Sequence, residues 1–122
     1  MSTFKEQVAP LGKVYLIVYS KHLEILQSLL DSDENIITIG TQSSKRNRLF
    51  AITENRLIVV TFDGKGKEHQ IFERDKIQNI RVKPKMLYYD VSFNFDEDKY
   101  NFFPDEGHAL FSPITGSEVH NQ

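Results

Sequence analysis

LFAITENRLIVVTFDGKGKEHQIFERDKIQNIRV, residues 49–82, decides the fold. Short runs rich in Val, Ile, Phe and Thr are separated by turn-forming clusters every few residues, the pattern of consecutive antiparallel strands. Arg48–Thr53 and Arg56–Phe62 flank a tight turn at Thr53-Glu54-Asn55, where Asn55 suits a left-handed position. Asp63–Lys67 is a Gly-bearing hairpin loop. Glu68–Glu73 follows, then Ile77–Lys83, which Pro84 closes. In the second of these strands Leu57 and Val59 face one side, Ile58 and Val60 the other. Apolar character on both faces belongs to a strand buried on both, here beneath a helix and inside a barrel.

Downstream, Tyr88–Phe95 alternates Tyr89, Val91, Phe93 and Phe95 against Tyr88, Asp90, Ser92 and Asn94. Asp96–Asp98 is an acidic turn and Tyr100–Phe103 the last strand. Upstream, Asn35–Gly40 is the first. Seven strands in a meander must hide their edges, by curling into a barrel or packing as two sheets. Before them, the spacing of Leu23, Leu26 and Leu30 predicts a helix over 20–30, with Ser20 as its N-cap. Lys13–Tyr19 fits either helix or strand, and Pro10 and Gly12 set it apart from any short helix at 3–9. Residues 104–122 read as a short polar tail with Gly107, Pro113 and Gly116; Gly107–Phe111 suffices for one helical turn, and the last residues read as frayed. The organisation is a lead-in (1–19), a strand-rich domain with its helix (20–103) and the tail (104–122).

A chain of 122 residues is one domain by size. With 39% hydrophobic and 26% charged residues it can build a core, and global disorder is not expected. The absence of Cys removes disulfides, thiolate metal sites and a Cys nucleophile, and fits a cytoplasmic location. The N-terminus lacks a basic-then-apolar leader pattern, and the longest apolar run, Val14–Tyr19, is too short to span a bilayer. Charge is uneven: residues 1–44 carry three Lys against five acids, 45–85 eleven Lys and Arg against five acids, and 86–122 one Lys against seven acids. Such asymmetry steers an anionic partner to one face, unless the basic middle and acidic end neutralise each other across the sheet, the more ordinary outcome.

The strand pair Leu49–Ile58 (LFAITENRLI), followed by Ile71, Ile77, Ile80 and Val82, resembles the bacterial pleckstrin-homology-like (PH-like) domains, the YokE-like kind in particular. The resemblance covers roughly residues 20–103. It implies a mainly β (α+β) fold: a seven-stranded antiparallel curled barrel with an N-terminal helix. It also implies an interaction role without catalysis. PH-like folds normally close one barrel end with a C-terminal helix, where this chain offers only a short tail. An uncovered mouth would favour a dimer or a bound peptide.

Lys45, Arg46 and Arg48 occupy the loop entering the second strand, the place where lipid-binding PH domains grip phosphoinositide phosphates; alternation sets both Arg on one face. With Lys65 and Lys67 they form the candidate lipid or anion site, although an ordinary solvated loop accounts for the same residues. The strand before them lacks the Lys that usually completes the motif. Adding Arg81, Lys83 and Lys85 makes a patch suited to a nucleic-acid backbone. No aromatic residues are interleaved with those cations, so nucleic acid is not the expected partner. Phe102 and Phe103 are core candidates that, at an open barrel end, would instead line a peptide groove or dimer seam.

Asp63–Lys67 leads into a strand, not a helix, and so is no phosphate loop. Asp96, Glu97 and Asp98 lack the Gly bend and distal Glu of a calcium loop. His22, His69, His108 and His120 show no metal-ligand spacing, and no Ser sits in a Gly-flanked elbow. The residues therefore point to no enzyme, cofactor or metal. The expected function is a non-enzymatic interaction module that binds a protein partner or self-associates. The alternative is an adaptor for anionic membrane surfaces, peripheral to the membrane, working through the basic loop.

Overall fold

A strand that is apolar on both faces is stable only between two other layers, and the chain supplies both. The computed structural model describes residues 2–116. The first sheet is β1 (Ile36–Gln42), β2 (Arg48–Thr53), β3 (Arg56–Asp63) and β4 (Gly66–Glu73), in that order. The second is β5 (Gln78–Pro84), β6 (Tyr89–Phe95) and β7 (Asp98–Phe102). Every neighbouring pair is antiparallel. All seven expected strands are present, as two packed sheets that do not close on each other.

Between the sheets lie Phe50, Ile52, Leu57, Val59, Phe72, Val91, Phe93 and Phe102. On the other face of the first sheet Leu49, Ala51, Ile58 and Val60 pack under Tyr19, Leu23 and Leu26. The two-sided reading of β3 is thus the layer order itself: helices, first sheet, second sheet. Phe72 is the hub of the inner layer, edge-on to Phe93 (5.1 Å), Phe95 (5.2 Å) and Tyr100 (4.9 Å). Such edge-to-face contacts suit the ring quadrupole.

Two local expectations fail, and one that the sequence left open is settled. Lys13–Tyr19 resolves as helix: α1 (Phe4–Val8) starts on a Thr3–Glu6 capping box, Gly12 takes a left-handed φ of 89°, and α2 (Lys13–Val18) runs almost directly into α3 (Ser20–Leu29). Ser20 is therefore not an N-cap; Tyr19 marks the break and makes no side-chain cap. Asn55 is not left-handed. The β2–β3 turn is held instead by the Thr53 hydroxyl, which accepts from the amides of Asn55 (3.3 Å) and Arg56 (3.1 Å). The left-handed pair is Asp96 (φ 52°) and Glu97 (φ 71°), a two-residue hairpin turn that lets Asp98 begin β7 opposite Phe95.

The largest departure is the tail. Residues 108–115 form α4 (His108–Thr115), despite Pro113, and it buries Leu110 and Phe111 against the inner core. Gly40 makes the approach possible: a Cβ there would sit 2.9 Å from Leu110 Cδ2. The Thr38 hydroxyl donates to the Leu110 carbonyl (2.7 Å). The barrel end for which the sequence offered only a short tail is thus covered by the chain's own C-terminal helix. The fraying expected of the last residues lies outside the described residues.

Beneath the helices His22 is 4% exposed, packed against Tyr19 and Phe62. Its Nε2 lies 3.1 Å from the Asn47 carbonyl, so this nitrogen carries the proton and donates; Nδ1 is buried without a partner among the described residues. Burial lowers the pKa, and the Asn47 carbonyl and Asp63 carboxylate offset this only in part. A folded pKa below the unfolded one means that the unfolded chain binds the proton more readily. The stabilisation is complete above about pH 6.5 and is lost as pH falls through the folded pKa. Thermal unfolding from about pH 7.5 to about pH 5 should show Tm falling in the wild type and falling less in His22→Leu. Equal slopes would assign the response to other groups.

Candidate interaction surfaces

The β1–β2 loop turns tightly enough to put Lys45 at a left-handed φ of 68°. From it, Arg46 reaches the β3–β4 hairpin: Nε donates to Asp63 Oδ2 (2.9 Å), Nη2 to Oδ1 (3.0 Å), and Nη1 approaches Glu68 (3.4 Å). This bidentate fork, then the Lys65 amide, holds the Asp63 carboxyl well below the usual range. Arg48 is half-buried; its Nε donates to the Thr61 hydroxyl (3.0 Å) and its guanidinium covers the Phe102 ring at 5.2 Å. Burial, and then the charge of Arg46, pulls its pKa down. Lys45 lies over Phe103 (4.7 Å) and Tyr88 (5.9 Å). Only Lys65 and Lys67, both exposed on the hairpin, point into water without such contacts. The loop brings the five cations to one end of the domain, but both arginines are engaged inside the fold and do not share a free face.

Phe102 is 3% exposed, edge-on to Phe50 at 5.7 Å, and so is core rather than docking surface. Phe103 is half-buried against Tyr88 (5.6 Å), and its amide donates to Gln42 Oε1 (2.8 Å). Phe102 is enclosed between the sheets by Phe50, Phe72 and Phe93, with Arg48 over its ring. Asp105 likewise turns inward, accepting from Thr41 and Ser43 (2.8–3.0 Å). Among the described residues no contact ion pair joins 45–85 to 86–116, although Lys83 and Asp90 stand opposite each other across β5–β6; acids nearer in sequence take Arg46 and Lys76. Hairpins and adjacent turns bring close neighbours in sequence together first.

The exposed apolar surface lies elsewhere. On α2, Val14, Tyr15, Ile17 and Val18 are 67%, 40%, 76% and 62% exposed, while Leu16 turns inward to the helix-covered core. A helix whose apolar residues exceed its buried stripe was legible in KVYLIV once the segment was known to be helical. At the β5–β6 turn, Met86 and Leu87 are also exposed.

A concavity of about 620 Å³ opens by the β2–β3 turn and is lined by Asn55, Arg56, Arg74, Ile77, Ile80 and Ile114. Arg74 is fully engaged there, donating to the carbonyls of Thr53 (2.8 Å), Glu54 (3.0 Å) and Pro113. It pins α4 to the β2–β3 turn, a structural role. Among the described residues no group of three or more His, Cys, Asp or Glu is placed to hold a metal ion. No helix among them is long and apolar enough to cross a membrane.

No curated protein matches this chain in sequence. The model of the bacterial PH domain matches residues 30–104, more than half of the chain and all seven strands. The matched span holds the whole two-sheet, seven-stranded meander, and the chain belongs to the bacterial PH domain family.

Proposed function

We propose that this chain is a non-enzymatic interaction module that docks a protein surface on the apolar face of α2, with a second copy of itself as the occupant to test first. One observation carries this reading: Val14, Ile17 and Val18 project side by side from one short helix, each more than 60% exposed. Neighbouring apolar side chains left in water mark interaction surfaces more often than isolated ones do. In a two-fold dimer such a helix meets its own copy, so each apolar residue is buried twice. The membrane reading drew on Lys45, Arg46, Arg48, Lys65 and Lys67, with the two arginines as its clamp. Their engagement with Asp63, Glu68 and Thr61 favours protein docking instead.

Sedimentation velocity across a concentration series tests this. The wild type should move from monomer to dimer, and Ile17→Glu/Val18→Glu should stay monomeric with an unchanged Tm, because neither side chain supports the core. A wild type that remains monomeric throughout overturns self-association.

A further inference from the structure

Three cations that make no ion pair among the described residues, Arg81, Lys83 and Lys99, share the outer face of the second sheet, the layer opposite α2. Register sets the arrangement. Arg81 pairs with Ser92 and Lys83 with Asp90 across β5–β6; Asn94 pairs with Lys99 and Ser92 with Asn101 across β6–β7. Alternation turns Val91, Phe93, Tyr100 and Phe102 inward and this polar set outward. The central strand thus turns Asp90, Ser92 and Asn94 outward, with Asp90 at one end opposite Lys83, while Arg81 and Lys83 rise on one flank and Lys99 on the other. The result is a concavity of about 430 Å³ lined by Asn79, Arg81, Lys83, Ser92, Asn94 and Lys99. Asn79, at a left-handed φ of 56°, is the extra residue of a bulge between Gln78 and Arg81. Bulges recur where a strand re-aims a side chain beside a site.

Arg81, Lys83 and Lys99 make no ion pair among the described residues. The acid nearest in register, Asp90, accepts from Asn101 Nδ2 (2.7 Å) at one end of the face. Asp96, Glu97 and Asp98 lie in the turn at the other end, outside the lining. Three like charges around a polar floor repel one another and gain from an anion set between them. The flanking strands are two spacings apart, about 10 Å, which Arg and Lys side chains span by leaning over the middle strand.

We infer that this face binds a phosphate group. The Arg81 fork grips two oxygens, Lys99 and Lys83 supply point charges from the two sides, and Ser92, Asn94 and Asn79 offer neutral donors beneath. The shared chemistry is a compact, multiply charged phosphate, carried either by a soluble compound or by a lipid headgroup. This site goes beyond the α2 surface and does not depend on it.

Titration of the native chain with pyrophosphate, followed by amide chemical shifts, tests the assignment. Saturable shifts are expected at Asn79, Arg81, Ser92, Asn94 and Lys99. Arg81→Gln/Lys99→Gln should weaken binding at least about tenfold, and Lys67→Gln on the hairpin should leave it unchanged. Both altered residues of the double variant are exposed, so its remaining amide spectrum reports that the fold is intact. Shifts that do not saturate, that chloride reproduces at equal ionic strength, or that centre on the β1–β2 loop overturn the site. Co-sedimentation with phosphatidylcholine vesicles, with and without phosphatidic acid, then distinguishes the sources. Binding to the phosphatidic acid vesicles that the double variant loses identifies a headgroup. Pyrophosphate binding without vesicle binding identifies a soluble phosphate compound. Vesicle binding that the double variant retains places the anion contact elsewhere and overturns the site.

Discussion

Phe111→Ala is expected to cost about 3–5 kcal/mol of folding stability. The side chain is fully buried, stands 6.0 Å from the Phe50 ring, and belongs to the cluster that fills the space between the sheets. Truncation loses the transfer energy of the ring and leaves a cavity whose walls, Phe50 on β2 and Leu110 on α4, are held by backbone that cannot collapse freely. The helix is also tied at Leu110, through Thr38, and at Pro113, through Arg74. These anchors resist collapse and keep the cavity open. Chemical denaturation checks the expectation, with Met86→Ala as the control: that residue is 95% exposed and should change stability by less than about 0.5 kcal/mol. If Phe111→Ala matched the control, α4 would be an ornament on a barrel that stands without it.

Glu34→Gln is expected to cost about 3 kcal/mol, the low end for breaking a buried ion pair. The Glu34 side chain is only 9% exposed and that of Arg56 19%. Glu34 accepts from Arg56 Nε (2.8 Å), from Arg56 Nη2, from the Thr53 hydroxyl (2.7 Å) and from the Asp31 amide (3.0 Å). Arg56 also donates to the Leu29 carbonyl (2.9 Å), so the pair ties the end of α3 to the β2–β3 turn. With the carboxylate gone, a buried guanidinium keeps its charge and loses its counterion. Burial by itself would push the Glu34 pKa up. The hydrogen bonds from Arg56, Asp31 and Thr53 outweigh burial and bring the pKa down from 4.5 to about 2. A folded pKa below the unfolded one gives stability that is fully present above about pH 4.5 and lost as pH falls toward 2. Glu34→Gln should therefore flatten the acid limb of the stability profile while lowering its plateau. An acid limb as steep in the variant as in the wild type would assign acid unfolding to other carboxylates.

The strands were legible because their signals are local. Val59 and Ile58 alternate within one segment, and Asp63–Lys67 carries its own turn chemistry, so neither needs a distant residue to be read. The helix over 20–30 followed from leucine spacing in the same way. The missed elements were those decided by distant partners. Pro113 and a polar composition argued against a helix in the tail. Leu110 and Phe111 make one worthwhile because Gly40, seventy residues earlier in the chain, leaves room for them. Phe102 read as core first and groove second, and the packing of Phe50, Phe72 and Phe93 around it makes it core. The arginines at 46 and 48 read as a solvated loop or, second, as a clamp, since nothing in SSKRNRLF shows that Asp63 and Thr61 will fold across to meet them.

By itself, then, the amino-acid order determined seven strands, their hairpin connections, the two-sided burial of β3 and a helix ahead of them. Alternation and turn propensity act over a few residues and do not depend on what packs above. Only the tertiary structure decided which end is closed, which cations are engaged and which stay unpaired. Burial and ion pairing depend on distances between side chains far apart in the chain. Register across β5, β6 and β7 brings Arg81, Ser92 and Lys99 to one face, although nothing in their spacing along the chain marks them as neighbours.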